Sequence, residues 1–173
     1  DYSGNKNKGT LINGPVWTNG KLGKALNFDG VDDQVSVGSP ASMNLPGEAS
    51  LFVWVKLNNI ATLKEIMGQC TGSIGGQHVL EVGRTANKVG LVVGSTVVHT
   101  SVASITTGTW YHIGYTWSGV TGSWTSRIYI NGVLDKTTTS ATDPGIQKSM
   151  SIGQCGTFTS SFTNGSLDDV RVY

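Results

Sequence analysis

The stretch Ile128–Asp135, IYINGVLD, places Asn131-Gly132 between two short alternations of apolar and polar residues. Both central residues of a type I′ hairpin turn need a positive φ, which Asn and Gly adopt more readily than other residues. The alternation on either side therefore predicts two antiparallel strands joined by a tight turn. Further Asn-Gly pairs at residues 13–14, 19–20 and 164–165 mark additional turns.

Short apolar runs recur along the rest of the chain and predict about a dozen strands. They are Ala25–Phe28, Gln34–Val37, Ser50–Leu57, Glu65–Gln69, His78–Gly83, Lys88–Val93, Thr96–Ser101, Trp110–Ser118, Thr125–Asn131, Val133–Thr139, Met150–Gly153 and Ser166–Tyr173. Helical periodicity is nearly absent; Ile60–Met67 forms either one short helical turn or the approach to a strand. So many short strands predict an all-β, antiparallel sandwich or barrel, and their number favours two packed sheets.

Length and charge narrow the class of protein. With 173 residues we expect one domain over residues 1–173, and a start at Asp1 suggests a mature form or a piece of a larger protein. Lys and Arg number 12 and Asp and Glu 11, for a net charge of +1 without basic or acidic runs. We therefore expect no nucleic-acid partner. No apolar run approaches the ~18 residues of a membrane span, so we expect no membrane insertion.

Six segments together carry a family resemblance. They are SGNKNKGTLINGPVW (3–17), GKLGKALNFDGVDDQVSV (20–37), SLFVWVKL (50–57), GTWYHIGYTWS (108–118), IYINGVLD (128–135) and GSLDDVRVY (165–173). In the order and spacing of these six segments, the chain resembles bacterial LamG-like jelly-roll domains of the concanavalin A-like lectin/glucanase superfamily. The resemblance implies a jelly roll of two antiparallel sheets, one concave and one convex. It also implies a non-catalytic module of an extracellular enzyme or surface protein.

Aspartates concentrate in NFDGVDDQVSV, residues 27–37. Asp29-Gly30 is typical of a tight turn, in which the Asp side chain bonds its own backbone. Asp33 has the parity of Val35 and Val37, so it faces the core if they do. A buried carboxylate needs a partner, because burying an unpaired charge is very costly.

Asp168 repeats this pattern near the end of the chain, where it shares parity with Val170 and Val172. A calcium ion would satisfy both carboxylates, because Ca²⁺ accepts carboxylate and backbone oxygens from flexible loops. The resemblance implies a structural Ca²⁺ bound by Asp168, and position adds Asp33 and Asp1 as weaker candidates. Backbone N–H groups and water are the alternative partners of Asp168.

Catalysis is not expected. The glucanases of the superfamily that the chain resembles carry paired glutamates on one strand, whereas Glu48, Glu65 and Glu81 are far apart in this sequence. Asp32 and Asp33 are neighbours, so their side chains point to opposite faces of a strand and cannot flank one glycosidic bond.

Two cysteines end similar strands: IMGQC ends at Cys70 and SIGQC at Cys155. Two cysteines in an exported domain favour a disulfide. Closing a loop of about 85 residues would stabilise the fold by roughly 4–5 kcal/mol on the chain-entropy model.

Aromatic residues are the best sequence indicator of a sugar site, because sugars pack on aromatic rings. Most of them lie in apolar strands and are expected in the core: Trp54, Trp110, Tyr115 and Trp117. Trp124, in the Gly/Ser-rich stretch SGVTGSWTSR, is the exception and is predicted to contact ligand. The polar candidates near the concave face are Gln69, Gln154, His78, Arg127 and Tyr129.

These observations predict an extracellular or cell-surface binding module for a polysaccharide or other glycan, with a structural calcium. The alternative is a protein-binding adhesion or spacer domain of a cell-surface protein. A fold used for so many functions does not decide between them.

Overall fold

Two seven-stranded antiparallel sheets pack face to face in the computed structural model. The structure describes residues 3–43, 45, 47–70, 78–94, 97–141, 149–155 and 160–173. Its strands are β1 (Thr10–Ile12), β2 (Val16–Asn19), β3 (Lys24–Asp29), β4 (Gln34–Gly38), β5 (Ala49–Leu57), β6 (Lys64–Cys70), β7 (His78–Val82), β8 (Lys88–Val93), β9 (Val97–Ser104), β10 (Tyr111–Val120), β11 (Ser123–Ile130), β12 (Val133–Ser140), β13 (Ser149–Ile152) and β14 (Asn164–Val172), with one 3-10 turn at Ala41–Met43. The jelly-roll sandwich predicted from the sequence is confirmed.

The strand order defines the sheets. Sheet 1 runs β1-β4-β13-β6-β7-β8-β9, and sheet 2 runs β12-β11-β10-β5-β14-β3-β2. The inward residues of β5 are buried and its outward residues are half-buried, which is the alternation of a strand with one face on the core. The core between the sheets includes Leu51, Val53 and Val55 of β5 and, from sheet 1, Met67 and Leu80.

The predicted hairpin is confirmed, since β11 and β12 pair around Asn131 (φ 53°) and Gly132 (φ 80°). The residues from Ile60 lead into β6 rather than forming a helical turn. Strands β1 and β2 were not predicted, because their three and four residues are too few to show an alternation.

A β-bulge interrupts β14 between Asp168 and Arg171, where Asp169 adopts a positive φ of 48°. A bulge inserts an extra residue, so the side chains before and after it no longer alternate in step. Asp168 pairs with Trp54 and therefore lies on the outer face of sheet 2, whereas Val172 pairs with the inward Leu51. The predicted inward direction of Asp168 is wrong for this reason.

No helix in the described ranges is long and apolar enough to cross a membrane.

Candidate functional site

Four aromatic side chains lie together on the outer face of sheet 2. Phe52 and Trp54 occupy the half-buried outer positions of β5. On β10, His112 pairs with Trp54. Gly114 separates Phe52 from Tyr129 on β11, because it pairs with both. We call Phe52, Trp54, His112 and Tyr129 the aromatic row.

The rings of the aromatic row are in contact range of one another. Ring centroids are 6.0 Å apart for Tyr129 and Phe52, 5.5 Å for Phe52 and His112, and 5.1 Å for His112 and Trp54. A Cβ at Gly114 would lie 2.3 Å from Cδ1 of Phe52, so the ring lies directly over that glycine. The absence of a side chain at Gly114 lets the rings form a continuous, partly exposed surface across three strands.

Cationic groups surround this surface. The Lys21 ammonium lies 5.2 Å from the centre of the Trp54 ring, within the range of a cation–π contact. Lys56, two residues along β5, lies 5.3 Å from the ring of Trp110. Arg127 pairs with Thr116 and Thr137, and it shares the outer face with Tyr129.

Carboxylates are fewer there. Arg171 is paired with Asp169 at 2.9 Å. In the described part of the chain neither Lys21, Lys56 nor Arg127 has a carboxylate within ion-pairing distance. Burial lowers the pKa of His112, the Asp169 carboxylate opposes this and the Arg171 guanidinium adds to it, so the ring is uncharged at neutral pH.

The outer face of sheet 1 carries a buried carboxyl pair instead. Glu65 of β6 lies directly opposite Glu81 of β7, although 15 residues separate them in sequence. The Glu81 carboxylate accepts two hydrogen bonds from Arg84, at 2.6 and 2.9 Å. The side chain of Glu81 is fully buried, whereas that of Arg84 is 46% exposed. A buried carboxylate requires a countercharge, and the Arg84 guanidinium supplies it for Glu81.

Glu65 is bound by the segment that leads into β14. Its Oε2 accepts from the amide of Cys155 at 3.0 Å and from Oγ of Ser161 at 2.9 Å. Its backbone oxygen accepts from Oγ1 of Thr163 at 2.9 Å. Burial raises the pKa of Glu65, these side-chain and amide bonds lower it, and the Glu81 charge raises it again. These bonds hold Cys155, Ser161 and Thr163 against the sheet and leave little carboxylate surface for a substrate.

Of the predicted ligand residues, Arg127 and Tyr129 lie on the aromatic face. The others are buried: Trp124, His78, Gln69 and Gln154. Trp124 is the second residue of β11, which agrees with the strand-start alternative for its Gly/Ser-rich stretch. It is 7% exposed, with its ring edge-on to Trp117 at 5.6 Å. It pairs with Gly119 next to the turn, so a Gly/Ser-rich sequence conceals a core position. His78 is 1% exposed and packs on Trp117, and burial lowers its pKa far below the usual value. Gln69 is buried and donates to the backbone oxygen of Met43.

Of the aromatic row, sequence reasoning identified only Tyr129, because it placed Trp54, like Trp110, in the core. Both residues are only half-buried. The stretch SLFVWVKL has apolar residues at both parities, so alternation alone does not show which face is inside. The remaining signal was Lys56, which shares the parity of Phe52 and Trp54 and marks their face as the outer one.

The aspartate turn joins β3 of sheet 2 to β4 of sheet 1. Asp29 accepts from the amide of Val31 at 2.7 Å, as predicted for a turn, and Asp33 accepts from the amide of Asp29 at 2.9 Å. One carboxylate oxygen from each of Asp29, Asp32 and Asp33 lies within 4.8 Å of the others. Burial raises the pKa of Asp33, the Asp29 amide opposes this, and the charges of Asp29 and Asp32 raise it further.

Asp168 lies elsewhere. It is 6% exposed and accepts from the amide of Leu22 at 2.7 Å, which is the backbone alternative expected for this carboxylate. Gly20 covers it, since a Cβ there would lie 2.4 Å from Oδ2 of Asp168 and 3.0 Å from Cβ of Ala25. Ala25 and Asp29 are four residues apart on β3, or roughly 13 Å, so the structure does not bring Asp168 to Asp33. Asp1 lies outside the described residues.

The structure describes the side chain of only one of the two cysteines in the predicted disulfide. Cys155 is 3% exposed and packs with Val79 and Val92. Cys70 ends β6 opposite Ser149, and its side chain lies outside the described part of the structure. The Cys70–Cys155 bridge therefore stays a prediction.

Comparison with known proteins supplies a family. A family model of the concanavalin A-like lectin/glucanases superfamily matches residues 29–173. None of the curated protein sequences compared with the chain matches it.

Solved structures share the fold at low identity. Domain 4 of the extracellular GH43 arabinanase AbnA from Geobacillus stearothermophilus, solved with arabinotriose, is 21% identical over 95% of this chain and 81% of its own, with a TM-score of 0.71. The SAP-like pentraxin of Limulus polyphemus is 20% identical over 75% of this chain and 65% of its own, with a TM-score of 0.60. The carbohydrate-binding module CBM66 of Bacillus subtilis is 12% identical over 95% and 94%, with a TM-score of 0.54.

Proposed function

This chain belongs to the concanavalin A-like lectin/glucanases superfamily, and on that premise we propose that it is a non-catalytic carbohydrate-binding module. The observation that carries the proposal is the aromatic row. Sugar rings present apolar C–H faces that pack on aromatic rings, while a few polar groups set their orientation. A row crossing three strands suits several consecutive sugars of a polysaccharide rather than one monosaccharide.

Two neighbours support this proposal. The arabinanase domain was solved with a bound arabino-oligosaccharide, and CBM66 is by its name a carbohydrate-binding module. Because the first of these domains belongs to an extracellular enzyme, we propose an extracellular or cell-surface location for this chain as well. A Cys70–Cys155 disulfide would suit an oxidising compartment.

We also propose that the protein has no catalytic activity. Glu65 and Glu81 lie opposite each other on neighbouring strands, but the carboxyl pair of a glycosidase must flank a bound substrate. Both side chains are at least 96% buried, and each is held by hydrogen bonds within the protein. Their arrangement favours a structural role.

Structural calcium is proposed at the aspartate turn. The carboxylates of Asp29, Asp32 and Asp33 can converge on one ion, and oxygen donors of this kind suit Ca²⁺. Asp33 is 3% exposed among other carboxylates, so an ion would supply the countercharge that it lacks. Asp168 remains a second candidate ligand at a separate place.

The test uses two tryptophans. Trp54→Ala removes a ring from the aromatic row, and Trp17→Ala removes a ring that is 64% exposed at the edge strand β2 and lies outside the row. Affinity electrophoresis and calorimetry on a panel of soluble plant, bacterial and animal polysaccharides measure binding. We expect Trp54→Ala to weaken the best ligand at least about tenfold, equivalent to ~1.4 kcal/mol, and Trp17→Ala to leave it unchanged.

Equal loss in both variants, or none in either, would place the site elsewhere. If the wild-type protein binds no glycan, the proposed function fails and the protein-binding adhesion alternative replaces it. Melting curves of both variants separate a lost ligand contact from a lost fold.

A further inference from the structure

We propose that the aromatic row binds an anionic polysaccharide, one carrying carboxylate or sulfate groups, rather than a neutral one. This inference rests on the proposed function and narrows its ligand class. It follows from the charges around the rings, which sequence composition does not reveal because the whole chain has a net charge of only +1.

The strands that carry the aromatic row, β5, β10 and β11, contain Lys56 and Arg127 but neither Asp nor Glu. Lys21, Lys56, Arg127 and Arg171 face this surface or its margin. Asp169 pairs with Arg171, which leaves the other three cations without a carboxylate. Asp168 is 6% exposed beneath Gly20 and Leu22, so it presents little charge to a ligand. Two exposed acids lie at the ends of the face: Asp29 is the last residue of β3, and Glu48 directly precedes β5.

The positions of the cations match an extended ligand. Lys21 lies beyond one end of the row, over Trp54. Arg127 lies beside the other end, two residues before Tyr129 on the same face of β11, or roughly 7 Å away along the strand. A chain lying along the rings would therefore pass a cation at each end. Regularly spaced acidic groups, as in a polyuronate or a sulfated glycan, would meet both.

Solvent exposure lets these cations act on a ligand. Lys21 is exposed, and Lys56 and Arg127 are half-buried on the aromatic side. An arginine can bind a carboxylate or sulfate through two parallel hydrogen bonds. On the other sheet Arg84 already makes such a bidentate contact, with Glu81, whereas Arg127 has no carboxylate partner of this kind among the described residues.

Single-stranded nucleic acid is the competing occupant, because bases also stack on aromatic rings next to cations. Such proteins usually line the whole backbone path with positive charge. Here three unpaired cations are spread over the face, and two of them already lie over tryptophan rings. The observations favour a polymer of lower charge density, which is an acidic glycan.

The experiment compares matched ligands. Polygalacturonate, alginate and chondroitin sulfate are tested beside the neutral polymers obtained by carboxyl reduction or desulfation, and beside a single-stranded oligonucleotide. We expect at least one acidic polymer to bind ten times or more tighter than its neutral counterpart. Its affinity should fall steeply with added salt, because contacts between exposed charges are screened.

Three variants assign the effect to the face. Arg127→Gln should weaken the acidic polymer about fivefold or more without affecting any binding of the neutral one. Lys21→Gln should act in the same way. The control is Lys136→Gln, since this exposed lysine pairs with the inward Ile128 and does not share the outer face.

The outcomes separate the two proposals. Acidic and neutral polymers bound equally well, through Trp54 but independently of Arg127 and Lys21, would overturn the inference and keep the carbohydrate-binding function. Binding of the oligonucleotide as tight as that of the best polymer, lost in the same variants, would overturn the assignment to a glycan. No binding of any polymer would remove the proposed function and this inference together.

Discussion

Each outer face of the sandwich belongs to one seven-stranded sheet, and the two faces differ in how their charged side chains are paired. On sheet 1, Glu65 and Glu81 are buried, and each is bonded to groups of the protein itself. On sheet 2, the cations of Lys21, Lys56 and Arg127 surround half-buried rings and have no carboxylate partner in the described part of the chain.

The difference separates groups that hold the fold from groups that can bind. A buried carboxylate that lost its partners would cost several kcal/mol, so the protein keeps those partners internal. Leaving a half-exposed ring or cation without a protein partner costs little free energy, because water solvates it. Such a group can therefore contact a ligand. Substitutions on sheet 1 should therefore change stability, and those on sheet 2 should change binding.

The largest effect is expected at Glu65. Glu65→Ala leaves the Cys155 amide and the Ser161 hydroxyl without their buried acceptor and should lower the free energy of unfolding by about 3 kcal/mol. Urea denaturation measures the loss. Glu65→Gln, which keeps an oxygen acceptor, should lose clearly less, and the folded Gln variant should bind glycan like the wild type. A Gln variant that folds normally but does not bind would break the distinction between the faces.

Calcium at the aspartate turn should affect both faces equally, because this turn joins the two sheets. An ion at a hundredfold excess over its Kd stabilises the folded state by about 2.7 kcal/mol, so a chelator should lower the melting temperature by several degrees. Asp33→Asn should abolish that response and Asp168→Asn should not. The reverse pattern would move the ion to Asp168. No response in the wild type, with no bound metal by elemental analysis, would refute a calcium site.

A substitution at Gly114 tests whether one residue can contribute both to stability and to glycan binding. A Cβ in Gly114→Ala would lie 2.3 Å from Cδ1 of Phe52 and 2.3 Å from the backbone oxygen of Leu51. We expect a loss of about 2 kcal/mol in the free energy of unfolding, typical of overpacking, together with weaker glycan binding because Phe52 must move. Gly122→Ala, at a turn with open space but a positive φ, is the control for backbone strain. Unchanged binding in Gly114→Ala would show that Phe52 is outside the site.

The smallest effect is a pH dependence that separates a core histidine from one in the aromatic row. Burial lowers the pKa of His78 far more than that of His112, while unfolded histidine keeps a pKa near 6.5. Stability from His78 is therefore complete above about pH 6.5 and is lost as pH falls below it, by up to ~1.4 kcal/mol per pH unit.

Melting curves between pH 8 and 5 measure this difference. His78→Phe should flatten the wild-type dependence more than His112→Phe does. The raised pKa of Glu65 acts in the opposite sense, since its contribution is complete below its unfolded pKa and is lost as pH rises through the folded value. Only the difference between each variant and the wild type is therefore interpreted. Equal flattening by both variants would contradict the burial difference.

The sequence by itself determined the architecture. Asn131-Gly132 specified the turn between β11 and β12, and short alternations specified twelve of the fourteen strands that the structure describes. These features are local, since turn chemistry and side-chain period depend on residues a few positions apart. The same local reasoning identified Asp29 as a turn residue, which its bond with the Val31 amide confirms.

Tertiary structure alone decided which residues share a surface. Alternation divides β5 into two faces, but the packing of the second sheet decided that Leu51 faces inward and Trp54 outward. One bulge at Asp169 reversed the face of Asp168, and strand pairing put Glu65 opposite Glu81 across 15 residues of sequence. These relations depend on register between distant strands, and a shift of a single residue exchanges the two faces of a strand.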